Sequence, residues 1–190
     1  MDSVASIKKA LVQMGIPFLE QEPMCAHTTF RIGGPAALYV RPQSRDELVT
    51  AARLVQDGSV PLVVMGKGSN LLIADAGFSG VILSTEAMTD MSFQKNVLTC
   101  AAGAGVTGAA AAARDRGLSG MEFLYGIPGS AAGAVFMNAG AYGGQIGDIL
   151  SSSTYYDMKT GTLHTLFREE HAFAYRDSVY RNHPDWIILS

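Results

Sequence analysis

Tyr125-Gly126-Ile127-Pro128-Gly129-Ser130-Ala131-Ala132-Gly133-Ala134-Val135-Phe136-Met137-Asn138-Ala139-Gly140-Ala141-Tyr142-Gly143-Gly144 decides what kind of chain this is. A segment so rich in glycine, with hardly any charge, is neither an ordinary helix nor a solvated linker. Glycine collects where backbone must take positive φ or pass close to something bulky. The Ala, Val, Phe and Met between the glycines predict burial. Two uses fit such a segment. It can meet a large planar, phosphate-bearing ligand through peptide N–H groups, or it can be a tightly packed core with small residues at its crossings.

A second segment adds weight to the ligand. Val60-Pro61-Leu62-Val63-Val64-Met65 has the length and β-branching of a strand and runs into Gly66-Lys67-Gly68-Ser69-Asn70-Leu71-Leu72-Ile73. A turn of this composition offers successive N–H groups, small side-chain donors and one ammonium, a nest suited to a pyrophosphate. It is not a Walker A loop, because Gly68 follows Lys67 and Pro61 stands where the first glycine belongs. The alternative for this segment is a plain hairpin turn. Gly103-Ala104-Gly105-Val106-Thr107-Gly108 matches the dinucleotide fingerprint letter for letter. The acidic strand end it requires about twenty residues on is missing, however, since that distance reaches Glu122 in Gly120-Met121-Glu122-Phe123-Leu124. A Rossmann unit is therefore rejected, although the helix start there remains a candidate for approaching the ligand.

The 190 residues suffice for one large domain or two small lobes, and 48% hydrophobic against 16% charged residues suggests much buried surface. A net charge of −3 with no Lys/Arg cluster excludes a nucleic-acid footprint. Cys25 and Cys100 lack metal or redox spacing and read as reduced thiols, with Cys100 in the core. His27, His164, His171 and His183 are scattered without ligand spacing, so no metal site is expected. Met1-Asp2-Ser3-Val4 does not open a signal peptide, and no apolar run has the length of a membrane span.

Along the chain, Val4, Ile7, Ala10, Leu11 and Met14 predict a helix capped by Asp2 or Ser3. Thr29 to Val40 reads as extended, broken at Gly33-Gly34-Pro35. Ser44-Arg45-Asp46-Glu47 is a capping box for a helix ending at Gly58. The 60–73 strand and nest follow, then a turn at 77–80 and a strand, Val81-Ile82-Leu83. A second lobe starts near Asp90 with a strand and a helix from Val106 to about Arg116. The glycine-rich segment comes next, then a hairpin from Ile149 to Leu166 turned at 157–161. Trp186-Ile187-Ile188-Leu189 reads as a strand barely begun and unpaired, an aggregation liability, and the chain reads as a fragment. The expected fold class is α+β, with lobes at 1–86 and 87–190.

Several pieces in order carry a resemblance: His27-Thr28-Thr29-Phe30-Arg31-Ile32-Gly33-Gly34-Pro35, the Gly66 to Leu72 run, Gly120-Met121-Glu122-Phe123 and Gly126-Ile127-Pro128-Gly129-Ser130. Asn138-Ala139-Gly140-Ala141-Tyr142-Gly143 and Tyr175-Arg176-Asp177-Ser178 complete the set. Together they resemble the UDP-N-acetylenolpyruvoylglucosamine reductases over essentially the whole chain. The resemblance implies a two-lobed FAD-binding fold of the vanillyl-alcohol-oxidase type with FAD between the lobes. Gly66, Lys67, Gly68, Ser69, Asn70 and Leu71 would hold the pyrophosphate. Gly126, Ile127, Pro128, Gly129, Ser130, Gly133 and Ala134 would lie along the flavin. It further implies NADPH as reductant and a cytoplasmic enzyme of peptidoglycan synthesis acting on UDP-N-acetylglucosamine enolpyruvate, with no nucleic acid, membrane or protein partner. Arg176 would stabilise the enolate left by hydride delivery, and Tyr175 would bind substrate. For Arg176 alone, a surface ion pair with Asp177 or Glu170 is the alternative. The family's proton-donating serine and catalytic glutamate lie in a third, substrate-binding domain whose motif does not occur before Ser190, so these lobes alone are not expected to complete turnover. Two further functions stay open. One is a different oxidoreductase of the same fold, against which stands the absence of a tethering His or Cys in the 66–71 and 126–134 loops. The other is a non-catalytic FAD-binding module.

Overall fold

Two units make up the structure, a computed structural model that describes residues 3–190. One ends at Met88 and the other spans Thr89–Ser190. In the first, α1 (Ser3–Met14) buries Ile7 and Leu11. Met14, expected on that apolar stripe, is 53% exposed. Ser3 is already helical and so does not cap the helix, while Asp2, the other expected cap, lies outside the described residues. The following strand, β1 (Phe18–Pro23), is one the sequence conceals: two glutamates and a proline in FLEQEP give no apolar alternation. It pairs antiparallel with β2 (Pro35–Val40), Phe18 opposite Val40.

A helical crossover then lets the sheet continue in parallel, which a tight turn could not do. Its helix, α2 (Arg45–Asp57), begins where Ser44 Oγ accepts the Glu47 N–H at 3.2 Å. The Glu47 carboxylate reaches back to the Gln43 N–H at 2.8 Å, so the expected capping box forms with its return bond one residue further out. Leu48, Ala51, Ala52 and Val55 face inward. The last two strands are β3 (Leu62–Met65) and β4 (Phe78–Ser84), and the sheet order is β1-β2-β4-β3. β4 is parallel to both neighbours. Its continuous buried run Val81–Ser84 suits a central parallel strand. Met24, Ala36, Tyr39, Met65 and Ile82 form a core cluster of this unit.

The expected extended run at Thr29–Ile32 does not form. Thr28 Oγ1 donates to the Ile32 carbonyl at 2.9 Å and Arg31 takes φ 55°, closing a turn before the strand starts at Pro35. Local side-chain capture of the backbone overrides the β-propensity of the threonines.

In the second unit, β5 (Met91–Gln94) and β6 (Val97–Cys100) form an antiparallel hairpin, and α3 (Val106–Asp115) follows. Antiparallel strands ahead of the Gly103–Gly108 match agree with its rejection as a dinucleotide fingerprint. Next come α4 (Ala131–Phe136), the two-residue strands β7 (Gly140–Ala141) and β8 (Gly144–Gln145), and the short α5 (Ile146–Ile149). β9 (Ser152–Asp157) and β10 (Thr162–Phe167) are the expected hairpin, with Asp157 Oδ1 accepting the Lys159 N–H at 2.8 Å in the turn. β11 (Trp186–Ile188), expected to be unpaired, lies antiparallel against β9, with Trp186 opposite Asp157. The Leu189 carbonyl also accepts the Ala102 N–H at 2.9 Å. Trp186 stacks on Tyr155 at 4.2 Å between ring centres, which fixes the register of that pairing.

Beneath this sheet, three polar side chains are closed off together. Ser153, His171 and Tyr180 are all at most 2% exposed. The Phe167 carbonyl lies 2.9 Å from His171 Nδ1 and can only accept, so Nδ1 carries a proton. In the neutral ring Nε2 then accepts from Ser153 Oγ at 2.7 Å, while the Tyr180 hydroxyl meets the same Oγ at 2.6 Å. Burial pushes the Tyr180 hydroxyl up to about 12.

Candidate functional site

The expected nest follows the parallel end of β3. Met65 is the last residue in register with β4, opposite Ser84, so the backbone leaves the sheet at Gly66. Among the described residues, the N–H groups of Gly66, Lys67, Gly68, Ser69 and Leu71 meet no protein acceptor. Lys67 and Asn70 are exposed, Gly66 and Ser69 half-buried, and the Leu71 side chain packs on the Met24–Met65 cluster. What shapes the loop is Gly68. It has φ +61°, and a Cβ placed there would run into the His27 carbonyl oxygen. The Thr29 N–H donates to the Gly68 carbonyl at 3.2 Å, so the 27–29 turn backs the loop. His27 is held in turn by Glu22 at 2.7 Å and stacks on Tyr39 at 4.1 Å. A row of unclaimed amides beside an ammonium fits a diphosphate.

In the second unit, the 126–134 segment is stitched to the 102–106 segment. Val106 N–H donates to the Gly129 carbonyl at 3.1 Å, Ala131 N–H to Ala104 at 2.8 Å and Ala132 N–H to Ala102 at 3.0 Å. Gly126 N–H goes to Thr107 Oγ1 at 3.2 Å, and Ile127 N–H to the Leu124 carbonyl at 3.1 Å. Ser130 caps α4, its Oγ accepting the Gly133 N–H at 3.3 Å, and its carbonyl takes the Ala134 N–H at 2.8 Å. Among the described residues, the amides of Gly129 and Ser130 alone in this segment meet no protein acceptor, Pro128 having none to offer. The outward side of the segment is therefore chiefly a bare surface with few amides to offer. Gly126 presents that surface: it is exposed at φ +91° with nothing within 4 Å of an added Cβ. Ile127 packs on the core and Ala134 belongs to it, while Pro128 and Gly133 are exposed. The expected burial is reached at Ala134 and Val135 but not at Phe136, which is 38% exposed, nor at the ends of the stretch, where Tyr125 is 62% and Tyr142 96% exposed.

Tyr175 and Arg176 stand at the tip of a tight turn closed by paired backbone bonds between Ala174 and Asp177, both 3.2 Å. Arg176 takes φ 50°, and Tyr175 is 91% exposed. With Asn138 and the β7–β8 hairpin, including Tyr142, they line an open cleft of about 340 Å³. Asp177 accepts the Ser178 N–H at 3.0 Å and lies 3.8 Å from Arg181 Nε, and Glu170 accepts the Phe167 N–H at 2.7 Å. The buried Ser178 hydroxyl donates to the Phe136 carbonyl at 2.8 Å, tying the turn to the end of α4.

Sequence reasoning missed Asn138, which is 2% exposed at φ 43°. An asparagine just after a short helix signals a left-handed cap, but its long-range partners leave no local trace. Among the described residues no cluster of three or more His, Cys, Asp or Glu could hold a metal, and no helix is long and apolar enough to cross a membrane.

The profile of the family described as "FAD binding domain" matches residues 36–166. The UDP-N-acetylenolpyruvoylglucosamine reductase of Agathobacter rectalis is 41% identical, covering 98% of this chain and 62% of its own length. That of Carboxydothermus hydrogenoformans is 39% identical, covering 97% and 61%. The chain thus spans about three-fifths of the length of such relatives. Among solved structures, UDP-N-acetylenolpyruvylglucosamine reductase from Thermus caldophilus superposes with TM-score 0.73 at 29% identity, over 92% of this chain and 59% of that one. Glucooligosaccharide oxidase from Acremonium strictum, with TM-score 0.65 and 19% identity over 88% and 38%, shares the fold alone.

Proposed function

Since the chain belongs to the FAD-binding domain family, we propose that it binds FAD non-covalently to reduce the enolpyruvyl group of UDP-N-acetylglucosamine enolpyruvate, giving UDP-N-acetylmuramate for peptidoglycan synthesis in the cytoplasm. FAD, when bound, supplies hydride transfer from NADPH to the enolpyruvyl double bond. The residues present fit it. Gly66 to Leu71 offer amides and an ammonium to the pyrophosphate, and Gly126 with its neighbours offers an open, methyl-free surface to the ring system. Neither loop contains a His or Cys that could tether the flavin.

The observation that favours this reaction over other flavin chemistry is the cleft in which Arg176 and Tyr175 meet the β7–β8 hairpin. Hydride addition to one carbon of an enolpyruvyl ether leaves negative charge on the carboxylate side. A permanently charged planar guanidinium stabilises such an enolate, most strongly where water is displaced. Tyr175 offers a ring face and a hydroxyl to the substrate, and its place at a turn tip sets it beside that charge.

The test is spectroscopic. The purified chain is expected to carry an absorbing flavin that heat releases as FAD, to bleach anaerobically with NADPH, and to change its flavin spectrum on addition of the enolpyruvyl substrate. A folded chain that takes up no FAD refutes the proposal at its root. A flavin that NADPH bleaches but the substrate never perturbs would shift it to another reductase of the same fold.

A further inference from the structure

We propose that Asn138 is the positioning residue that presents the Tyr175–Arg176 turn to its cleft, acting as a cross-brace between three separate stretches of chain. Its side-chain amide donates to the Ala174 carbonyl at 2.9 Å and to Gln145 Oε1 at 3.0 Å. Its oxygen accepts the Gly147 N–H at 2.9 Å. Ala174 is the residue just before Tyr175, 36 positions away in sequence. Gln145 ends the hairpin that forms the opposite wall, and Gly147 lies in the helix after it. One buried side chain therefore joins both walls of the cleft.

Asparagine suits the place on two counts. At φ 43° the backbone is left-handed, a conformation asparagine tolerates better than most residues. Only a primary amide supplies two donors and an acceptor from one short, uncharged group. Alanine would leave the Ala174 carbonyl and the Gly147 N–H facing a void. Aspartate would satisfy Gly147 but set an anion against two acceptor oxygens.

Asn138 does not replace the turn's own closure, which the Ala174–Asp177 bonds provide. It sets where the closed turn sits, together with Ser178 on the Phe136 carbonyl. For catalysis this rests on the reading of Arg176 and Tyr175 as substrate-facing, whereas the bracing itself does not depend on it.

Two variants separate the possibilities. Asn138→Gly accepts the left-handed backbone and removes all three side-chain bonds, and Asn138→Asp keeps the acceptor and removes the donors. The first readout is limited trypsin digestion of the flavin-loaded chain, scored as cleavage after Arg176 relative to cleavage after Arg116 in the same unit. General destabilisation raises both cuts, and loss of the brace raises only the first. A rise of about tenfold in the ratio is expected for both variants, since a locally released turn is cut in proportion to its open population. The second readout is the flavin spectrum titrated with UDP-N-acetylglucosamine enolpyruvate, where affinity is expected to weaken by about tenfold. An unchanged cleavage ratio in both variants overturns the proposal, because the position would then need only its φ. Should Arg176→Lys and Tyr175→Ala leave the titration untouched while the Asn138 variants still raise the ratio, the brace stands and the substrate-facing reading falls.

Discussion

Gly68 and Gly126 look alike in sequence and should respond to alanine in opposite ways. At Gly68 the new methyl must enter left-handed backbone, costing about 1–2 kcal/mol. It also collides with the His27 carbonyl, a backbone atom that cannot swing aside, and overpacking of this kind adds about 1–3 kcal/mol. The sum, roughly 2–5 kcal/mol, should lower Tm by about 10 °C or more at the 4–8 °C per kcal/mol typical of a small domain. Because the 27–29 turn and the 66–71 loop then separate, added FAD should recover little of the loss. At Gly126 only the backbone term applies, about 1–2 kcal/mol, since nothing stands within 4 Å. There the methyl occupies the proposed flavin surface, so FAD affinity should fall further than stability does. Thermal melts followed by circular dichroism with and without FAD, together with the fluorescence of flavin released from the loaded chain, distinguish the two. If Gly68→Ala melts within about 2 °C of the parent and retains FAD, the pinning of the nest by His27 is wrong.

Ser153→Ala removes the hydroxyl shared by His171 and Tyr180, stranding two buried polar groups, and should cost about 2–5 kcal/mol in a urea melt. A loss under about 1 kcal/mol would show that the trio is solvated. The same site gives an alkaline limb. Burial holds the folded Tyr180 hydroxyl up to about 12 while its unfolded value is 10.0, so its contribution is fully present below pH 10 and is lost as pH climbs toward 12. The slope there should reach about 1.4 kcal/mol per pH unit and flatten in Tyr180→Phe. Arg176→Lys keeps the charge but loses the planar fork. Flavin content should stay at parent level while the affinity read from the flavin spectrum on titration with the enolpyruvyl substrate falls by about tenfold or more. An unchanged titration would remove Arg176 from the substrate cleft.

What could be read from the sequence was whatever the chain settles locally. Ser44 and Glu47 announce a helix start because both partners of the cap lie within one turn. Gly66–Leu71 and Gly126–Ser130 stand out because glycine and serine crowd into a few positions there, although the letters alone leave a plain turn or a packed crossing open. β1 escaped because its partner strand, and not its own pattern, makes FLEQEP extended. Thr29–Ile32 misled because one threonine hydroxyl outweighed the propensity of the pair. Trp186–Leu189 looks unpaired in sequence because its partner, β9, lies some thirty residues earlier. Asn138 sits in a recognisable run, Asn138 to Gly143, yet its bond to Ala174 crosses 36 positions and leaves no trace in the letters.

The strand order β1-β2-β4-β3 also dictates a sequence of events in time. β3, which delivers the chain to the nest, touches no strand of its sheet except β4, and β4 is the last to leave the ribosome. Until Ser84 has been synthesised, Gly66–Leu71 has no platform, however complete its own residues are. The loop proposed to receive the pyrophosphate is thus assembled late in the making of its unit, after the slow non-local pairing that parallel strands require. A flavin met by the growing chain before that moment finds nothing to hold it.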